Sequence, residues 1–238
     1  MMSWDPLTRP TELAEERLIG AILDGEFPID THLPAERALA VRLGVTRPTL
    51  REVLQRMARD GWVEIHHGKP TRVRNYWQEG NLAVLAAIAR HSQRLPPNFV
   101  SNLLAVRLLL APIYARLGVE KHPAEMIVCI NGYTQIPDDP QAFADTDWQL
   151  HRQLTIASEN PVFTLILNGF KELYKMMGLR YFQLPEARAH SRRFYQTLLE
   201  CAQNRDYDRI EAVTRRVMVE SLDFWRKLAQ LPESASQG

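Results

Sequence analysis

Between Pro34 and Val73 the chain carries two helix signals and a hairpin signal in 40 residues, and few folds satisfy all three at once. Leu50, Val53, Leu54 and Met57 fall at i, i+3, i+4 and i+7, one helix face that requires a core beneath it. Thr46 stands where an N-cap is wanted, Pro48 is tolerated in the first turn, and Gly61 closes the helix. Upstream, Pro34 opens a shorter helix with Leu39, Ala40 and Leu43 inward, ending at Gly44. A first helix is expected from about Thr11 to Leu23, capped by Thr11, with Leu13, Leu18, Ile19 and Ile22 on one face and Gly25 and Pro28 as stops. Downstream, Trp62 to Ile65 and Thr71 to Val73 read as short strands around the tip His66-His67-Gly68-Lys69-Pro70. Helix, helix, turn, helix, hairpin is the order of an α+β winged helix-turn-helix, expected here over residues 1–75.

After Asn75 no further convincing strand appears. Helices are expected at Leu82–Arg90, Asn98–Glu120, Ala124–Gln135, Gln141–Ser158, Val162–Met177, Glu186–Asn204 and Tyr207–Leu231. Short loops between them make an all-α antiparallel bundle over 82–231, with 76–81 as linker and 232–238 as tail. The chain is 45% hydrophobic and 24% charged, which excludes a disordered polymer. No apolar run is read as approaching the roughly 18 residues that cross a bilayer, so no membrane partner is expected. The first residues lack the basic-then-apolar pattern of a secretory leader, and a cytoplasmic protein is expected. Cys129 and Cys201 stand alone without a CxxC pattern and are expected as reduced thiols.

Charge is unevenly placed. Residues 31–75 hold nine Lys/Arg against four Asp/Glu, a net of +5, although the whole chain is only +1. A phosphate backbone could use that window. In a helix-turn-helix the second helix enters the major groove N-terminus first. Here it starts with Thr46, Arg47, Pro48, Thr49, Leu50 and Arg51. Arg47 and Arg51 are four apart and share a face beside the apolar stripe, where a guanidinium can reach guanine O6 and N7. Thr46 and Thr49 offer hydroxyls to phosphates, and Arg37 is placed to hold the backbone. His67, Gly68 and Lys69 form a basic wing tip. Arginines that merely solvate an exposed helix are the bland alternative; a second basic element on the same small scaffold favours double-stranded DNA.

The run LPAERALAVRLGVTRPTLREVLQRMARDGWVEIHHGKPTRV resembles the DNA-binding domain of the GntR superfamily. The likeness to the FadR branch continues through NLLAVR (102–107), ASENPVFTLILNGFKELY (157–174), RYFQLPEAR (180–188) and ESLDFW (220–225). This resemblance implies a homodimer on a short palindromic operator, with DNA contacts from Arg37, Thr46, Arg47, Thr49, Arg51, His67, Gly68 and Lys69. Pro48 departs from a threonine found in that branch. The resemblance also implies a transcription factor that represses fatty-acid degradation genes and activates unsaturated fatty-acid synthesis genes. Its effector would be long-chain fatty acyl-CoA, bound in the helical domain by Arg107, Tyr174, Tyr181, Tyr195, Ser221 and Trp225, with DNA then released. An acyl chain needs an apolar slot, which Leu103, Val106, Phe163, Ile166, Leu167 and Phe170 could supply. Met218 stands where the branch has glycine, and Gln230 where it has lysine.

A second branch of the superfamily holds a metal and senses small carboxylic acids. Asp147 and His151 show the spacing that starts its motif, but its two later histidines align with Tyr195 and the neighbourhood of Val217. Half a ligand set is a poor site, and neither a metal nor a cofactor is expected. No HExxH, GxSxG or phosphate-cradling glycine loop is present, and no catalytic residue is expected.

Overall fold

The computed structural model describes residues 9–66, 68–91, 95–96 and 98–230, and the chain divides into two compact units, 1–95 and 96–238. In the first, α1 (Pro10–Leu23) starts on a proline with Arg9 before it, so Thr11 lies inside the helix and does not cap it. Proline at N1 supplies the helical φ and has no N–H to satisfy. Ala14, Leu18, Ile19 and Ile22 turn inward, while Leu13 is exposed. α2 (Glu36–Leu43) begins two residues after Pro34 and ends on Gly44 in the left-handed region. α3 (Arg47–Asp60) is capped by the Thr46 hydroxyl, which accepts from the Thr49 N–H at 3.3 Å. Its stripe Leu50, Val53, Leu54 and Met57 is buried as the periodicity requires, and packs on α1 and α2.

The strands are shorter than expected. β1 (Val63–Glu64) pairs antiparallel with β2 (Arg72–Val73), Val63 opposite Val73 and Glu64 opposite Arg72. A third lane, unforeseen in the sequence, lies beside β2. Residues 30–33 exchange backbone hydrogen bonds with it, including Val73 N–H to Thr31 C=O and Leu33 N–H to Thr71 C=O, both 2.8 Å. The segment 76–81, expected as linker, begins with one helical turn, α4 (Tyr76–Glu79). Tyr76 is buried there with its ring 4.8 Å from that of Trp62, because an aromatic residue gains more by covering the indole than by trailing in solvent. α5 (Leu82–Arg90), expected to open the helical domain, falls within the 1–95 unit and packs on α3. Asn81 ties its start down, capping the Ala83 N–H and donating to the Arg59 carbonyl.

The second unit is all helix among its described residues. α6 (Phe99–Lys121), α7 (Pro123–Tyr133), α8 (Pro140–Ala157), α9 (Pro161–Gly169), α10 (Lys171–Phe182), α11 (Pro185–Gln203) and α12 (Tyr207–Gln230) follow in order. Four of these begin with proline at the first turn, which both stops the preceding loop and starts the helix. The single helix expected over Val162–Met177 is two: α9 ends at Gly169, and α10 continues to Phe182. Glycine inside a helix costs about 1 kcal/mol against alanine, and the chain turns there.

α6 packs on α12 and α8, and α11 packs on α7 and α12. A Cβ on Gly118 would lie 2.6 Å from the Leu154 carbonyl oxygen, so α6 and α8 meet backbone to backbone. By length and composition α6 is apolar enough to cross a bilayer, with mean hydropathy 1.4, contrary to the reading that no run approaches that limit. Its apolar residues instead serve the bundle and the cavity described below.

Candidate DNA-reading surface and ligand cavity

In the N-terminal unit, α3 presents Arg47 and Arg51 outward, their side chains 57% and 60% exposed. Neither is a bare cation. The Glu36 carboxylate, from the first turn of α2, accepts from Arg51 Nε at 2.8 Å and lies 3.7 Å from a terminal nitrogen of Arg47. Sequence reasoning missed Glu36, because an acidic residue in a first helical turn reads as ordinary dipole complementation. Thr46 and Thr49 share a hydroxyl–hydroxyl hydrogen bond of 2.8 Å over the N-terminus of α3. Arg37 is exposed on α2, and among the described residues neither it nor Lys69 forms an ion pair. At the wing, Gly68 has φ +72°, a left-handed conformation that suits glycine. Its base is clamped by Arg72, which binds Glu64 and Asp30. His67 lies outside the described residues.

In the C-terminal unit, α6, α8, α9, α10, α11 and α12 line a cavity of about 1070 Å³ between atoms, its open mouth included. The proposed slot residues Leu103, Val106, Phe163, Ile166, Leu167 and Phe170 all line it. So do Arg107, Tyr174, Tyr181, Ser221 and Trp225 among the expected ligand residues, and Met218 with them. Tyr195 does not reach the lining. It is fully buried and donates its hydroxyl to Asp147 Oδ1 at 3.0 Å. The Gln230 side chain lies outside the described residues.

Asp147 organises the polar end of this cavity. Its Oδ2 accepts from Arg107 at 3.0 Å and from the Tyr174 hydroxyl at 2.5 Å, and Oδ1 from Tyr195. The Arg107 guanidinium also lies over the Tyr174 ring, 4.9 Å from its centre. Burial works to raise the Asp147 carboxyl, but the Arg107 charge, His151 and the phenol hydrogen bonds outweigh it and hold it below the usual carboxylate value. His151, fully buried one turn along α8, accepts or donates with the Tyr114 hydroxyl at 2.8 Å through Nδ1. Burial and then the nearby Arg107 cation push its imidazole down to about 3, so it is neutral at pH 7. Tyr181, 3.3 Å from Ser221 through its hydroxyl, is pushed up to about 12 by burial and stays protonated.

The Asp147–His151 pair is tied into protein hydrogen bonds, while His151 Nε2, 3.8 Å from Asp147 Oδ1, has no hydrogen-bond partner among the described residues. Both carboxylate oxygens and one ring nitrogen are occupied by protein groups, and Arg107 supplies the positive charge. Among the described residues no three His, Cys, Asp or Glu side chains converge on one point. Tyr114 and Asp147 as cavity residues were not singled out from the sequence. Tyr114 binds His151 and Asp147 binds Arg107 across α6 and α8, and only the tertiary fold brings these pairs about.

The fold agrees with the relatives of the chain. The family described as bacterial regulatory proteins of the gntR family matches residues 10–73, and the FadR C-terminal domain matches residues 74–235. The fatty acid metabolism regulator protein of Edwardsiella ictaluri (strain 93-146) is 42% identical over 230 residues, 96% of each chain. The protein of the same name from Shewanella frigidimarina (strain NCIMB 400) is 42% identical over 219 residues, 92% of each chain. A solved structure of Lar, described as controlling expression of the Listeria monocytogenes agr system, has a TM-score of 0.56 at 14% identity. It covers 94% of this chain and 100% of its own, a likeness of fold. These relatives are regulators and not enzymes. The chain belongs to the GntR family of bacterial regulatory proteins and, by its FadR C-terminal domain, to the family of fatty acid metabolism regulators.

Proposed function

We propose that this regulator of fatty-acid metabolism binds a palindromic operator as a homodimer and releases it when long-chain fatty acyl-CoA enters the C-terminal cavity. Repression of degradation genes and activation of unsaturated fatty-acid synthesis genes, in the cytoplasm, belong to the same reading. The observation that carries it is the composition of the cavity: its lining is mostly aliphatic and aromatic and includes the polar side chains Arg107, Tyr174, Tyr181 and Ser221. An acyl chain fits the apolar part of this lining and a polar carbonyl end the polar side chains. On the DNA side, Arg47 and Arg51 are the base readers, with Arg37, Thr46, Thr49, His67, Gly68 and Lys69 holding the duplex. Release needs a coupling on the order of 1–3 kcal/mol between ligand and DNA.

The test is operator binding by fluorescence anisotropy against acyl-CoAs from C8 to C18. Each buried CH₂ contributes about 0.8 kcal/mol, so two carbons should change the releasing concentration about fifteenfold until the slot is full. Superimposed curves across the series, or release by a small carboxylate and by no acyl-CoA, would refute the fatty-acid effector.

A further inference from the structure

We infer that Glu36 is a positioning and specificity-determining residue for DNA recognition, acting on the duplex through Arg51 and Arg47. The inference rests on the base-reading role of those arginines. The geometry carries it further. One carboxylate, itself 35% exposed, faces two guanidiniums that stand a helical turn apart and are otherwise surrounded by solvent. It engages Arg51 through Nε at 2.8 Å. That choice of donor leaves the two terminal nitrogens of Arg51 as a free fork, the shape that matches guanine O6 and N7. A long side chain held at its neck reaches the groove already oriented, and less conformational freedom is lost when the base is met.

The same carboxylate acts against the wrong partner. Binding to arbitrary sequence depends on bare positive charge meeting phosphate, and a negative charge between the two arginines weakens that contact whatever the sequence. Phosphate oxygens accept from the fork on any sequence alike, so only a guanine edge in the groove turns the held orientation into discrimination. Glu36 therefore lowers affinity for random duplex more than for the operator and widens the ratio between them.

Two variants separate the roles. Glu36→Gln keeps the size and an acceptor for Arg51 Nε but loses the charge. Glu36→Ala loses both. The duplex enriched by the wild-type chain from a random-sequence library, and a scrambled duplex of equal composition, are titrated over a range of salt. Glu36→Gln is expected to bind the scrambled duplex several-fold tighter, with a log–log salt slope steeper by about 0.9. Glu36→Ala is expected to narrow the enriched-to-scrambled ratio about tenfold, and to cause no further narrowing when Arg51 is already alanine. An unchanged ratio in Glu36→Ala, an equal loss on both duplexes, or a loss that persists in the Arg51→Ala background overturns the inference. Should Arg51→Ala itself leave the ratio intact while Glu36→Ala narrows it, the fault lies with the base-reading role, and the inference falls with it. Thermal melting of each variant reports folding separately, and only a small loss, from the charge removed in the first turn of α2, is expected.

Discussion

At the scale of single residues, the C-terminal unit keeps a charged pair and a histidine where apolar side chains would be the default. Asp147 and His151 are both buried, and in each the folded protein prefers the deprotonated form. The unfolded chain therefore binds more protons than the folded one at acid pH, and stability rises with pH wherever that difference exists. For His151 the window runs from about 6.5, the ordinary imidazole value, down to the folded value of about 3. Stability is fully present above that window and is lost as pH falls through it. Asp147 adds its own loss below the ordinary carboxylate value. His151→Gln removes the first contribution, so its melting temperature should vary less than the wild type's between about pH 6.5 and pH 4. Parallel curves for the two proteins in that interval would show that His151 does not titrate as its surroundings require. The position of this pair on one helix face was legible from its spacing. Its partner Arg107 was expected only as a ligand residue, and the bond to Asp147 was not legible because the contact spans 40 residues of chain.

At the scale of elements, what the sequence foretold best were the helices whose pattern and caps agree. α3 has an apolar stripe, a threonine cap and a glycine stop, and it runs almost to the expected residue at both ends. α9 and α10 were harder, since apolar residues continue across Gly169 and only the turn in space interrupts them. The lane at 30–33 has no alternating pattern and exists because β2 offers it backbone partners. Gly61 joins two of these elements. It has φ +97°, and a Cβ there would lie 2.8 Å from both the Glu79 carbonyl oxygen and the Gly80 Cα. Backbone atoms cannot swing aside as a side-chain tip can. Gly61→Ala should therefore destabilise the N-terminal unit by about 1–3 kcal/mol, through left-handed strain plus displacement of α4. Urea unfolding followed by circular dichroism would measure it. A loss below about 0.5 kcal/mol, the usual bound for surface changes, would mean that α4 moves freely.

At the scale of the whole molecule, the chain divides into two compact units, and a ligand that occupies only one should stabilise that one first. With a C16 acyl-CoA at a hundred times its dissociation constant, the transition that contains the cavity should gain about 2.7 kcal/mol. Met218 is buried and lines the cavity, so Met218→Gly should enlarge the slot and shift the preferred acyl chain upward. Calorimetry with a graded acyl series checks both, and an optimum that stays at the same length after substitution excludes Met218 from the slot. The sequence by itself determined the helix-turn-helix, the all-helical second half and the identity of the basic side chains on the reading helix. Those follow from local rules: periodicity, caps, and the conformations open to glycine and proline. Only the tertiary structure decided that Glu36 holds Arg51, that Tyr195 stands behind the cavity wall, that Asp147 binds Arg107, and that α5 belongs with the first unit. Each of these is a pairing between segments far apart in the chain, and long-range pairs are selected by how whole faces pack, which no local pattern encodes.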